Sequence, residues 1–335
     1  MKRAFTIVEL LVAVGILAIV LSFAGAIFRV SIDAHRTAMA NSEIMQKFRA
    51  ITEQLDADFQ GLRKDGEIFA VWVAEDADSD GTYERFDRIM FFADGDFHSY
   101  HADPPIRGNL ARISYMLAKR GTIQAQAQPP RERMLARVQH IVTADASLPA
   151  MFDPNAFTDS EWFDWNNRME YQKGTLQQWV NLSWEDKEDA LAVIADVNVG
   201  SSTVDHDFRG ASIEPTDANS IHMLLCRGVG EFKVQGWYDA ELRWVPQVDP
   251  DGDGDLSDTE FYFSGSRTPG VLYPYPPNGL VSIKGVAYPR NGLSESRFDE
   301  IPGLGRALKF TFTLYDSRGI IKEGRTFTHI IYLDN

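Results

Sequence analysis

The chain has 335 residues, 44% hydrophobic and 12% aromatic, a composition that excludes a disordered polymer and allows one large core or two modest ones. Forty-eight acidic against 33 basic side chains leave a net charge of −15. That balance disfavours nucleic acid, which is bound by neutralising phosphates with Lys and Arg, and suits cations as ligands. The single cysteine, Cys226, can form no internal disulfide and reads as a small buried hydrophobe in the apolar stretch His222 to Cys226.

The chain opens Met1-Lys2-Arg3-Ala4 and then runs apolar from Phe5 to Phe28, with Glu9 as the one charge in that run. The run is long enough to span a bilayer core as a helix, and Lys2 and Arg3 before it place the first residues in the cytoplasm. It is too long for a secretory signal peptide, and no small-residue cleavage site separates it from the polar stretch that follows. A carboxylate at this depth is costly in lipid and marks function. Two basic residues, a small residue, then Phe5-Thr6-Ile7-Val8-Glu9-Leu10-Leu11 resembles the prepilin signal of type IV pilins and type II secretion pseudopilins.

That resemblance implies a leader of residues 1–4, cleavage between Ala4 and Phe5 by a prepilin peptidase, and methylation of the new Phe5 amine. It also implies that Glu9, the fifth residue after the cut, pairs with the N-terminal amine of a neighbouring subunit during assembly. Ala4 stands where the family nearly always has Gly; it is small enough to predict slower or normal processing.

After Arg29 the pattern becomes amphipathic. Ile44, Phe48, Ile51, Leu55 and Phe59 fall on one helical face, while Glu43, Gln46, Lys47, Arg49, Glu53, Asp56 and Asp58 suit the wet face. With no proline before Pro104 and no stop before Gly61, the pattern predicts one helix from Phe5 to about Gly61, roughly 85 Å long. Residues 5–29 form the membrane or filament-core half, and residues 30–62 pack on a head that spans residues 63–335.

Phe69 to Val73 and Arg88 to Phe92 are strand-like runs. Between them Asp76, Asp78, Asp80, Thr82 and Asp87 follow the first half of a twelve-residue calcium loop, with Asp87 in place of the closing Glu. Residues from about 123 to 220 read as a partly helical insertion, with a helix-like stretch Arg131 to His140 and tryptophans at 162, 165, 179 and 184. A tryptophan cluster of this kind is more often core than binding site. Further on, Phe232 to Tyr238 alternates as a strand does.

A fuller calcium loop follows: Asp249, Asp251, Asp253, Asp255, Ser257 and Glu260, with Gly254 at the turn position. Calcium takes six to eight hard oxygens, and this spacing wraps them around one point. Carboxylates at every second residue repel one another without a cation among them. Neither loop has amphipathic helices on both sides, so the pattern predicts one or two structural calcium ions in loops between strands. Ala307 to Tyr315 and Thr326 to Tyr332 alternate around the turn signal Asp316-Ser317-Arg318-Gly319, which predicts a C-terminal hairpin.

One long helix and then antiparallel strands is an α+β order. The segments Gln54 to Phe59, Gly228 to Val234 and Pro302 to Leu333 are similar to segments of J-type minor pseudopilins and W-type minor pilins. The resemblance implies a pilin-like fold and a minor pseudopilin of a type II secretion pseudopilus. Its partners would be other pilins or pseudopilins, prepilin peptidase and the inner membrane, with a periplasmic head. Two alternatives stand: a minor pilin of a type IV pilus or DNA-uptake machine, and a stand-alone anchored calcium-binding surface protein. No HExxH zinc motif, G-x-S-x-G elbow or phosphate-cradling loop occurs, so the sequence offers no sign of an enzyme.

Overall fold

The computed structural model describes residues 6–63, 68–71, 74–75, 84–100, 105–121, 123, 125, 127–144, 171–181, 211–217, 220–238, 242–245, 247–248, 260–262, 272–274, 281–282 and 306–333. The first element is one continuous helix, α1 (Ile7–Gln60). Thr6 caps it: its hydroxyl accepts from the Glu9 N–H at 3.2 Å, while Glu9 Oε2 accepts from the Thr6 N–H at 3.0 Å. This reciprocal box satisfies two donors that a helix start otherwise leaves unpaired. Gly61 ends α1 where strand 88–98 passes so close that a Cβ would clash with the Asp94 carbonyl oxygen.

The strands follow in chain order: β1 (Phe69–Val71), β2 (Ala74–Glu75), β3 (Glu84–Arg85), β4 (Arg88–His98), β5 (Arg107–Ala118), β6 (Met134–Thr143) and β7 (Tyr171–Lys173). A short helix α2 (Leu176–Val180) precedes β8 (Leu224–Arg227), β9 (Val229–Tyr238), β10 (Arg243–Val245), β11 (Gln247–Val248) and β12 (Glu260–Tyr262). The last four are β13 (Leu272–Pro274), β14 (Val281–Ser282), β15 (Ala307–Leu314) and β16 (Arg325–Tyr332).

The main sheet runs β14-β1-β4-β5-β6-β7, with β8 also on β6, and its pairings are antiparallel apart from β6–β7. A second sheet, β10-β9-β15-β16, is wholly antiparallel. The alternation expected near the C-terminus is realised: Ala307 pairs with Tyr332 and Leu314 with Arg325 in one unbroken register. The connection between them is longer than one turn. Asp316 organises it, accepting from the N–H groups of Arg318, Ile320 and Ile321 at 3.2, 2.9 and 2.8 Å. Gly319, at φ +67°, supplies a left-handed position that a side chain would strain.

The second half of α1 joins both sheets. Ile44, Ile51, Leu55 and Phe59 are buried and Phe48 is half-buried, the face its periodicity predicts. Phe59 packs on Phe91 of β4 at 4.1 Å and on Phe310 of β15 at 5.6 Å; Phe48 stacks on Phe327 of β16 at 4.7 Å. On the main sheet's other face Phe92 meets Trp179 of α2 at 5.5 Å, so β4 and β5 are covered on both sides. Trp179 is thus core, as tryptophans usually are. Trp162, Trp165 and Trp184, and most of the insertion expected at 123–220, lie outside the described residues.

Two expectations are corrected. The stretch Arg131 to His140 is not helical: β6 runs through it, paired with β5 from Met134↔Ala118 to Val142↔Leu110. Met134, Leu135 and Ala136 are good helix formers, but all three are buried between neighbouring strands, and the pairing decides their state. Residues 134–143 therefore belong to the main sheet and not to an insertion. Asp58, assigned to the wet face, is buried. It follows Ile51 by seven residues, which returns it to within about 20° of the same direction.

Candidate functional site

Two regions concern function: the N-terminal half of α1, and the junction that holds the head on its second half.

From Thr6 to Met39 side chains are exposed almost without exception, including Leu10 at 61%, Phe23 at 67% and Phe28 at 69%. This half is long and apolar enough to cross a membrane and buries none of that surface in its own head. Such a surface is stable only in lipid or against other helices. Within it Glu9 is turned toward the helix start, where Oε2 accepts from both the backbone N–H and the hydroxyl of Thr6. A carboxylate at a helix N-terminus is favoured by the helix dipole. Ala4 and Phe5 lie outside the described residues.

At the junction, Asp58 is the centre of a buried polar cluster. Arg137 of β6 donates to it twice, Nε to Oδ2 and Nη2 to Oδ1, both at 2.7 Å. The Tyr115 hydroxyl of β5 donates to the same Oδ2, and Gln54 Nε2 donates to Oδ1 at 3.1 Å. Burial and then the Asp58 charge push the Tyr115 hydroxyl well above its usual range. Burial works against the Arg137 charge, but hydrogen bonding to Asp58 and its charge outweigh it and raise the guanidinium pKa. The cluster locks α1 to the two central strands at a defined angle. Farther up the helix, Glu43 accepts from the Ser317 N–H at 2.9 Å and its hydroxyl at 3.0 Å, while Lys47 donates to the Tyr315 carbonyl at 2.7 Å. Asp56 meets His329 at 2.8 Å.

The acidic loops rest on hairpin stems. β2 pairs with β3, Glu75↔Glu84, on either side of residues 76–83, and β11 pairs with β12, Val248↔Phe261, on either side of residues 249–259. Strand flanks, not the helix pair of an EF-hand, are what the sequence predicts for both. Asp76, Asp78, Asp80, Thr82, Asp249, Asp251, Asp253, Asp255 and Ser257 lie outside the described residues, as does the side chain of Glu260. Asp87 has a different task from closing a loop: its carboxylate takes Arg85 Nε at 2.9 Å and Nη2 at 2.5 Å. It also accepts from the Val234 N–H at 2.7 Å, and it is fully buried. Among the described residues no group of three or more His, Cys, Asp or Glu side chains is placed to hold a metal ion. Cys226 is a buried free thiol that burial pushes up to about 11, the inert behaviour expected of it.

The periodicity of α1 does not predict the Asp58 cluster. Its one local signal is a carboxylate falling on the apolar stripe of a helix, a placement stable only with a buried partner.

Comparison with known proteins adds one family match. Residues 1–25 match the family model described as the prokaryotic N-terminal methylation motif. A stretch of 125 residues, 36% of this chain, is 28% identical to human calsyntenin-1 (Homo sapiens). The chain spans 12% of that protein's length, too little to carry a functional argument. No solved structure matches.

Proposed function

We propose that this chain, which begins with the N-terminal methylation motif, is a minor pseudopilin of a type II secretion pseudopilus, a structural subunit and not an enzyme. The observation that carries the reading is a motif-bearing helix whose apolar first half is exposed along its whole length while its second half is locked into an α+β head. An exposed apolar helix of that length serves first as a membrane anchor and, once drawn out of lipid, as the core of a helical filament. The positive charges at Lys2 and Arg3 favour a cytoplasmic N-terminus and a periplasmic head. Prepilin peptidase would cut after Ala4 and methylate Phe5, and the carboxylate of Glu9 would then meet the new amine of an adjacent subunit.

Mass spectrometry of the N-terminal peptide, on protein purified from its native membrane, tests this. The expected peptide begins at N-methylated Phe5. An intact Met1 would overturn the filament reading and leave an anchored surface protein.

The acidic loops add calcium to the proposal. Loop 249–260 carries carboxylates at the positions such a site needs, whereas loop 76–87 has its last carboxylate committed to Arg85. One ion, at Asp249, Asp251, Asp253, Asp255, Ser257 and Glu260, is therefore the favoured stoichiometry. Calcium at a hundred times its dissociation constant would add about 2.7 kcal/mol to stability by mass action. Melting of the full chain in detergent should rise with calcium, and Asp249→Ala with Asp251→Ala should remove most of that rise. An equal melting temperature with calcium and with a chelator would sink the site.

A further inference from the structure

The outer face of the β10-β9-β15-β16 sheet gathers positive charge that the anchoring and locking contacts do not use. Along β15 the buried residues Leu308, Phe310, Phe312 and Leu314 face the core, so Lys309, Thr311 and Thr313 lie on the opposite face. The register sets Gln235 opposite Lys309, Lys233 opposite Thr311, and Trp244 opposite Trp237. Lys309 Nζ lies 5.0 Å from the centre of the Trp244 ring, and Trp244 meets Trp237 edge-on at 5.1 Å. Across β15, Ile330 pairs with Lys309 and Tyr332 with Ala307; they are 38% and 65% exposed.

Among the described residues the charges on this face are unbalanced. Among the described residues no carboxylate lies within 4 Å of Lys233 or Lys309, although Glu231 shares the face. The remaining nearby cation, Arg85, is paired with Asp87. Burial, then the charges of Lys233 and Arg85, lower the Lys309 amine to about 8. In a chain of net charge −15 a half-buried ammonium with no counterion among the described residues is unusual, and an anion from outside would relieve it.

The neighbouring surface narrows the choice of anion. Trp237, Trp244, Ile330 and Tyr332 offer apolar and aromatic contact of the kind protein partners bury, beside two cations. Nucleic acid fits poorly: two lysines neutralise few phosphates, and the field of the whole chain repels a polyanion. We propose that this face is a docking surface for an acidic segment of another protein, with its carboxylates on Lys309 and Lys233 and its apolar side chains on Trp237, Trp244 and Ile330. The proposal goes beyond the pseudopilin reading and does not depend on processing of the N-terminus.

The test uses the full chain in detergent micelles and a fluorescent octapeptide of alternating glutamate and leucine. Controls are the same peptide with glutamine for glutamate and a single-stranded twelve-nucleotide DNA. The glutamate peptide is expected to bind about tenfold more tightly than the glutamine peptide, the effect of two partly exposed ion pairs. Lys233→Gln with Lys309→Gln should erase that difference, and Lys233→Arg with Lys309→Arg should retain it. Since Lys309 is half-buried, circular dichroism of each variant confirms that the head is folded. Equal binding of the two peptides, no binding of either, or a difference unchanged in the Gln variant would overturn the proposal. Stronger binding of the DNA would replace the protein partner with a nucleic acid.

Discussion

Asp58→Ala is expected to destabilise the head by about 3–5 kcal/mol, because it leaves the Arg137 guanidinium buried without its counter-charge. Two hydrogen bonds to Arg137 and one each to Tyr115 and Gln54 disappear together, so four donors on three elements lose one acceptor. Urea unfolding of the full chain in detergent would read the loss. Asp58→Asn keeps an acceptor without the charge and should lose less. Tyr115→Phe removes one donor and should cost about 1 kcal/mol. Asp58→Leu combined with Arg137→Met should recover most of the stability, since a buried ion pair replaced by packed apolar groups is often neutral. A loss below about 1 kcal/mol for Asp58→Ala would show that the cluster does not hold the helix to the sheet.

The second large effect concerns assembly and not stability. Glu9→Ala should abolish incorporation into the filament while leaving the head folded and anchored. Among the described residues Glu9 touches its own helix start and nothing in the head, so its removal affects the cap alone. Loss of the box should cost at most about 1 kcal/mol locally. In a filament the same carboxylate would be enclosed by apolar helices, where it is tolerated only when paired with a cation. Site-specific crosslinking of subunits, or recovery in the sheared filament fraction, measures the outcome. Normal incorporation of Glu9→Ala would refute the pairing with a neighbour's amine, and Glu9→Asp should assemble weakly.

Both variants probe one division of labour along α1. Its first half is a surface without a partner inside the subunit; its second half is the spine on which two sheets are hung. Phe59 touches Phe91 of one sheet and Phe310 of the other, so the helix sets the relative position of the two. The ties from Glu43 and Lys47 to the segment Tyr315 to Ser317 extend that hold toward the point where the helix leaves the head. A pull on the exposed half would be passed to the sheets through these contacts and through Asp58.

Much of this could be read from the order of residues alone, because it rests on neighbours in sequence. The span of α1 follows from an unbroken apolar run that passes into a four-and-three periodicity, and the ladder between β15 and β16 from strict alternation on either side of a turn. Lys2, Arg3 and Glu9 mark the N-terminal motif within 25 residues. What only the tertiary structure decided are the contacts between distant segments. Met134-Leu135-Ala136 carries no local mark of a strand and became one because β5 and β8 border it. Asp58 could be called solvent-facing until Arg137, 79 residues away, was brought beside it. Asp87 matched a calcium-loop position in spacing, yet a guanidinium two residues back and an amide from β9 claimed its carboxylate. Local patterns fix the direction in which a residue points, but what waits there is set by the folded chain, and for a buried charge that partner determines its role.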